Sequence, residues 1–235
     1  MKLKKVDYVR ANDFDQWVGK IQTQHTINLR RGKSILDVGC GIGQYTPLFL
    51  EHFNEVYGLD SSAELLEVAR SNNKIINYIQ GNAETFELQR KFDTINMNML
   101  LEHVDNPINV LQTCKNHLST NGVIIAQVPN STSVTRKIGV LMGIIESTGH
   151  MSEKEINFFG HQRVYTLDSL SNDCTNAGLK ILESGGILYK PLPNTDLYKL
   201  CKSKGENWTN KFLQALVDYG KDKATDCANI YIVCN

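Results

Sequence analysis

No stretch of this 235-residue chain supplies the roughly 20 consecutive apolar residues that a membrane-spanning helix needs. Its nearest approach, Ile138 to Ile145, is short and holds two glycines. The amino-terminal residues lack the apolar run of a secretory leader. Net charge is absent too. With 25 basic and 25 acidic residues, the chain lacks the broad positive footprint that nucleic acid would require. Lys2, Lys4 and Lys5 form a small basic cluster, read as a solvated tail. Six scattered cysteines include no CxxC pair and no Cys/His group at zinc spacing. A cytoplasmic location with reduced thiols is therefore expected. Repeats and low-complexity tracts are missing as well. What remains is ordinary globular composition, 41% hydrophobic and 21% charged, at a length that suits one α/β domain.

Apolar runs alternate with helical spacing from residue 34 onward. Strands are expected at Ser34 to Val38, Glu55 to Leu59, Ile75 to Ile79, Phe92 to Met97 and Val123 to Val128. A sixth is expected at Leu179 to Leu188, and Asn229 to Cys234 closes the set. Ser61 or Ser62 and Thr166 are good helix N-caps. Asn121-Gly122 reads as the stop of a helix over Val110 to Leu118, and Gln44 to Phe53 carries helical spacing. Strands joined by short helices imply a mostly parallel, seven-stranded sheet with helices on both faces, a Rossmann-like α/β fold. Within one domain, residues 1–33 read as N-terminal helices, 34–129 as the ligand-binding core and 130–165 as a lid region. Residues 194–222 read as a helical insertion before the last strand. Its apolar face (Leu197, Leu200, Phe212, Leu213, Leu216) is an acceptor wall, a homodimer surface or plain core.

The loop Asp37-Val-Gly-Cys-Gly-Ile-Gly43 follows the first strand. Glycines there let the backbone turn tightly and approach a ligand. The dinucleotide pattern GxGxxG is missing: counted from Gly39 the third position is Gln44, and from Gly41 it is Thr46. This disfavours a nicotinamide oxidoreductase. Asp37 would gain nothing from a pyrophosphate but would suit a positively charged ligand. Asp60, at the end of the second strand, can accept hydrogen bonds from both hydroxyls of a ribose. A ligand with a ribose, no phosphate and a positive end is implied, and S-adenosylmethionine has all three.

In order, DVGCGIG, GLDSS, GNAETF and MLLEHVDNP resemble the motifs of class I S-adenosylmethionine-dependent methyltransferases. The likeness is to the small-molecule group that includes ubiquinone-type and sugar or surface-polysaccharide enzymes, over roughly residues 30–190. That resemblance implies a cofactor site made by Asp37, Gly39, Cys40, Gly41 and Gly43 at the methionine end and by Asp60 and Ser61 at the ribose. Asn82 and Ala83 would face the adenine, Asn82 standing where the family more often has Asp. Asn98 and Met99 would close the fourth-strand side. The magnesium-binding acids of catechol-type members have no counterpart at Asn98, Met99 and Leu100, so no metal is expected. DPPY and NPPY motifs of nucleic-acid enzymes are missing.

Methyl transfer is an in-line displacement in which alignment and exclusion of water matter most. A general base is needed only for a hydroxyl or protonated amine. His161, in a GHxRxYT segment like that of the sugar-type members, is the first candidate base and His103 the second. His150, Arg163 and Tyr165 are candidates for binding the acceptor. His25, His52 and His117 read as helix-surface residues, and Glu84 and Glu102 as solvated or structural. Trp17 and Tyr8 are read as packing residues or a cap over the cofactor. A small acceptor follows, with a nucleotide-linked sugar or glycan precursor ahead of a quinone-like or phenolic one. A non-catalytic module that binds S-adenosylmethionine is the alternative of another class.

Overall fold

The computed structural model describes residues 14–235; the lysine cluster and Tyr8 lie outside the described residues. Seven strands, β1 (Ser34–Val38), β2 (Glu55–Asp60), β3 (Asn77–Gln80), β4 (Phe92–Asn98), β5 (Leu118–Pro129), β6 (Ile181–Tyr189) and β7 (Cys227–Cys234), form one sheet. Their order is β3-β2-β1-β4-β5-β7-β6. Pairing is parallel from β3 through β5, and β7 runs antiparallel to both β5 and β6. Strand order reverses between β1 and β4. The carboxyl ends of strands at such a reversal frame the crevice in which open α/β sheets bind ligands, and the glycine loop leaves β1 there.

The helices are α1 (Phe14–Leu29), α2 (Ala63–Asn72), α3 (Pro107–Asn116), α4 (Val134–Leu141), α5 (Leu167–Asn176), α6 (Asn194–Lys204) and α7 (Glu206–Gly220). Every residue of β1 is buried, as expected of a parallel strand covered on both faces. Ser62 caps α2 through its side chain, accepting from Leu65 N. Thr166 and Ser169 exchange hydrogen bonds as a capping box on α5.

Two local expectations are corrected, and one left open is decided. Helix α3 stops at Asn116, and β5 already begins at Leu118. Gly122 lies inside β5, where an added Cβ would stand 2.8 Å from the Phe92 carbonyl; close strand approach, rather than a helix stop, requires glycine. After the glycine loop the chain forms only a short 3-10 turn, Thr46–Glu51, opened by Pro47. Without a regular helix N-terminus, the loop lacks the dipole that would hold a phosphate. The 194–222 segment is two helices whose Leu197, Leu213 and Leu216 are buried with Phe14, Val123 and Ile125. Its apolar face is therefore core, packed against one side of the sheet.

Candidate active site

The glycine loop is closed onto its neighbours by backbone bonds. Gly39 N and Cys40 N donate to the Leu59 carbonyl at 2.7 and 3.1 Å. Gly39, Gly41 and Gly43 all have positive φ, at 78, 55 and 66°, a region side chains resist. Asp60 fastens the loop to β2: Oδ2 accepts from Gly41 N and Oδ1 from Ser62 N, each at 2.9 Å. Its remaining lone pairs are free for ribose hydroxyls.

Asp37 sits underneath, 7% exposed. Thr46 Oγ1 donates to its Oδ2 at 2.6 Å and Asn96 Nδ2 to its Oδ1 at 2.7 Å. Burial pushes its carboxyl up to about 6, against the pull of those two hydrogen bonds. Burial likewise raises the Cys40 thiol, so it stays protonated. Ser61 is exposed, with its carbonyl accepting from Gln80 Nε2. Asn82 uses its side-chain oxygen to accept from Glu84 N at 2.8 Å, so one of the two lone pairs meant for an adenine amine is already engaged. Ala83 packs against the main core.

Met99 follows β4 with a φ of 54°. A left-handed non-glycine residue stores strain and marks a constrained place. Beyond it, residues 160–165 fold back over the turn 101–105. Gln162 N donates to the Glu102 carbonyl at 2.8 Å, and Gln162 Nε2 to the His103 carbonyl. This lacing brings His161 to His103, their rings edge to face with centroids 4.8 Å apart. Burial pushes the His103 imidazole down to about 4, with His161 adding to the effect. His161 is lowered mainly by burial as well. Burial therefore favours the neutral form of both rings.

Glu102 completes the group and was missed as a site residue. It is 1% exposed, neither carboxyl oxygen has a hydrogen-bond partner, and Oε1 lies 3.8 Å from His103 Nε2. Desolvation pushes its carboxyl up to about 8, so it is neutral at pH 7. One atom from each of Glu102, His103 and His161 falls within 4.8 Å of the others, a spacing that suits a shared proton or a cation. Sequence reasoning searched residues 98–100 for ligands and passed over this cluster. Its signal was an acid set among Leu100, Leu101 and Val104.

The remaining candidates have other work. Arg163 Nη1 donates to the Leu101 and Val104 carbonyls at 2.7 and 2.5 Å, and Nη2 to Asp105 O at 3.1 Å. It clamps the turn, which corrects its reading as an acceptor ligand. Tyr165 is 2% exposed and donates to Asp173 Oδ2 at 2.9 Å, so it is core. The backbone carbonyl of His150 accepts from Arg136, and its ring is not part of the histidine pair. His117 is buried, accepting from Leu88 N, and His25 packs edge to face on Tyr231; neither is a surface residue. Glu84 caps the turn at Asp105 and Asn106. Trp17 packs between Phe14 and Tyr198.

Helix α4 and the irregular stretch before His161 make up the segment read as a lid. Arg136 holds it together, donating to Thr148 O at 2.7 Å, Glu155 Oε1 at 2.9 Å and His150 O. Yet its apolar side chains face water: Leu141 is 87% exposed and Met142 and Ile144 each 67%, with Ile156, Phe158 and Phe159 also exposed. Among the described residues no helix is long and apolar enough to cross a membrane.

Sheet order, glycine loop and the acid that ends β2 together mark an S-adenosylmethionine-dependent methyltransferase of class I. The chain belongs to the family described as "Methyltransferase domain", whose model matches residues 9–184. It is similar to the ubiquinone biosynthesis O-methyltransferase of Shewanella halifaxensis (strain HAW-EB4), 27% identical over 213 residues, 88% of this chain and 84% of the relative. The enzyme of the same name from Actinobacillus pleuropneumoniae serotype 5b (strain L20) is 32% identical over 171 residues, covering 68% and 71%. Among solved structures, the plantazolicin methyltransferase BamL, in complex with a triazolic desmethylPZN analog and SAH, aligns with a TM-score of 0.62. That alignment covers 94% of this chain and 87% of that one at 19% identity.

Proposed function

We propose that the protein methylates a hydroxyl of a small, partly apolar aromatic acceptor of phenolic or quinol type. The observation that carries this reading is the contact of His103 with His161 at the turn after β4, next in sequence to a segment of exposed apolar side chains. A phenolic oxygen needs a base to become nucleophilic, and an apolar tail would cover the side chains that Leu141, Met142 and Phe158 leave in water. The names of the relatives support O-methylation. A sugar acceptor loses its support, because Arg163 and Tyr165 of the segment that suggested it are engaged in folding.

The donor set fits S-adenosylmethionine: a carboxylate at the ribose position, a buried acid below the loop, and no lysine or arginine on the loop to attract phosphate. Gly39, Cys40, Gly41 and Gly43 would hold its methionine end, Asp60 and Ser61 the ribose, and Asn82 and Ala83 the adenine. Bound there, the cofactor supplies a methyl group made electrophilic by its sulfonium. His161 takes the acceptor proton, with His103 behind it. Glu102, being neutral, leaves both rings uncharged until that moment. Arg163 fixes the turn that carries His103, and the lid excludes water.

The test is transfer of labelled methyl from S-adenosylmethionine to catechol and to a nucleotide-linked hexose, offered separately. Methylation of catechol alone is expected. Transfer to the hexose alone would overturn the acceptor reading and leave the enzyme class standing.

A further inference from the structure

Three buried amide side chains and one half-buried, Asn98, meet on one face of the sheet beside Met99, and each has a buried atom with nothing to bond. They are Gln22 on α1, Asn98 at the end of β4, Gln127 on β5 and Asn229 on β7. Asn98 and Gln127 are partners in the β4–β5 register, and Asn229 lies on β7 opposite Pro129, two residues along β5. The unpaired atoms are Gln22 Nε2, Asn98 Oδ1, Gln127 Oε1 and Asn229 Oδ1. Gln22, Gln127 and Asn229 are 2, 0 and 4% exposed. An unpaired buried polar atom is costly, and few occur in a native protein. Four at one place call for a ligand.

The surrounding bonds fix which amide atoms are spare. Gln127 Nε2 donates to Thr26 Oγ1 at 2.6 Å and to the Gln22 carbonyl at 3.2 Å. A carbonyl cannot donate, so the oxygen of Gln127 is the free end. Asn98 Nδ2 donates to Gln22 Oε1 at 3.4 Å. Asn229 Nδ2 reaches only the Met99 sulfur, at 3.5 Å. The strained residue and the unpaired amides are thus one site. It is also wired to the cofactor acid, because Thr26 Oγ1 donates to Asn96 Oδ1 at 2.8 Å and Asn96 Nδ2 donates to Asp37.

Three free acceptors and one free donor select a ligand rich in O–H or N–H groups and reject a carboxylate or phosphate. None of the four side chains can carry charge, so the site recognises without transferring a proton. It lies at the carboxyl edge of β4 and β5, where β4 leads directly into the turn bearing His103. We infer that this amide pocket binds a second hydroxyl of the acceptor, so that the enzyme selects a vicinal diol over a molecule with one hydroxyl. The inference rests on the proposed hydroxyl acceptor and adds that recognition is separate from the histidine pair.

The experiment compares catechol with phenol for the wild type, Asn229→Leu and Gln22→Leu. It reads methyl transfer, and also binding of each probe to the protein–S-adenosylhomocysteine complex by calorimetry. Asn229→Leu removes only the weak contact to sulfur and should fold; Gln22→Leu, which gives up only the long bond from Asn98, supplies an independent second variant. Wild type is expected to prefer catechol. Each variant should raise the KM or Kd for catechol about tenfold, as loss of one buried hydrogen bond does, with phenol and S-adenosylhomocysteine binding unchanged. Unchanged catechol affinity in both variants overturns the inference, as does equal weakening of catechol and phenol. Catechol bound tightly by wild type and weakly by both variants, without turnover, would keep the pocket and refute the hydroxyl-methylation reading instead.

Discussion

The cofactor half and the acceptor half of the crevice are built by opposite means. Around the glycine loop, backbone bonds and two carboxylates specify almost every atom: Asp60 ties Gly41 to Ser62, and Asp37 ties Thr46 to Asn96. In the segment before His161, a helix and an irregular stretch are pinned at Arg136 and present Leu141, Met142 and Ile144 to water. The first half is preorganised for one ligand with fixed polar groups. The second is an adaptable apolar cover, whose contact with its ligand is not yet made. On the proposed function, specificity for the cofactor resides in polar geometry, and that for the acceptor in burial plus a few buried polar atoms.

If chemistry belongs to the acceptor half alone, His161→Ala with His103→Ala should lower kcat by roughly 100-fold or more. S-adenosylhomocysteine affinity should stay at the wild-type value by calorimetry; a parallel loss of affinity would join the two halves. Dialysis against a chelator sharpens the same point. Activity that survives assigns the Glu102, His103 and His161 group to proton transfer, whereas loss restored by a divalent ion assigns it to a cation.

Glu102 gives an effect of intermediate size. Its carboxyl titrates near the model-compound value of 4.5 when unfolded and near 8 when folded. Below 4.5 both states are protonated. As pH rises toward 8 the unfolded state ionises first, so the native state loses stability, and above 8 the loss is complete. Glu102→Gln removes that slope. Its Tm should exceed wild type by about 5 °C or more at pH 8 and approach it at pH 4.5. A constant difference between the two pH values would contradict the neutral buried acid.

The smallest effect is expected at the lid. Leu141→Ser should leave Tm within about 1 °C, since exposed positions contribute little to folding. It should raise KM about threefold to tenfold for an acceptor with an apolar tail, and not for catechol itself. Equal KM changes for the two acceptors would deny the lid its part in binding.

The two halves also differed in how legible they were. Short apolar runs ending in Asp or Gly marked β1 and β2, and Ser62 and Thr166 announced their helices, because those signals are local. The ordered motifs placed the glycine loop beside Asp60 before any coordinates. Long-range folding hid the rest. His103 and His161 were each named, but nothing within LLEHV or GHQRVY shows that residues 160–165 fold over the turn 101–105. That fold buries Glu102 and engages Arg163. Helix α1 misled differently: it buries Gln22, Thr23 and Thr26, so the polar network beneath the cofactor loop has no apolar periodicity to reveal it.

Asp60 and the loop it secures are the centre of the proposed cofactor site. Calorimetric titration of the purified protein with S-adenosylmethionine and S-adenosylhomocysteine, beside a folded Asp60→Ala variant, addresses that claim directly. Micromolar binding of both by wild type, weakened on the order of 100-fold in the variant, is the predicted result. Equal binding by both proteins would remove the ribose from Asp60, and no binding by folded wild type would contradict the cofactor site itself.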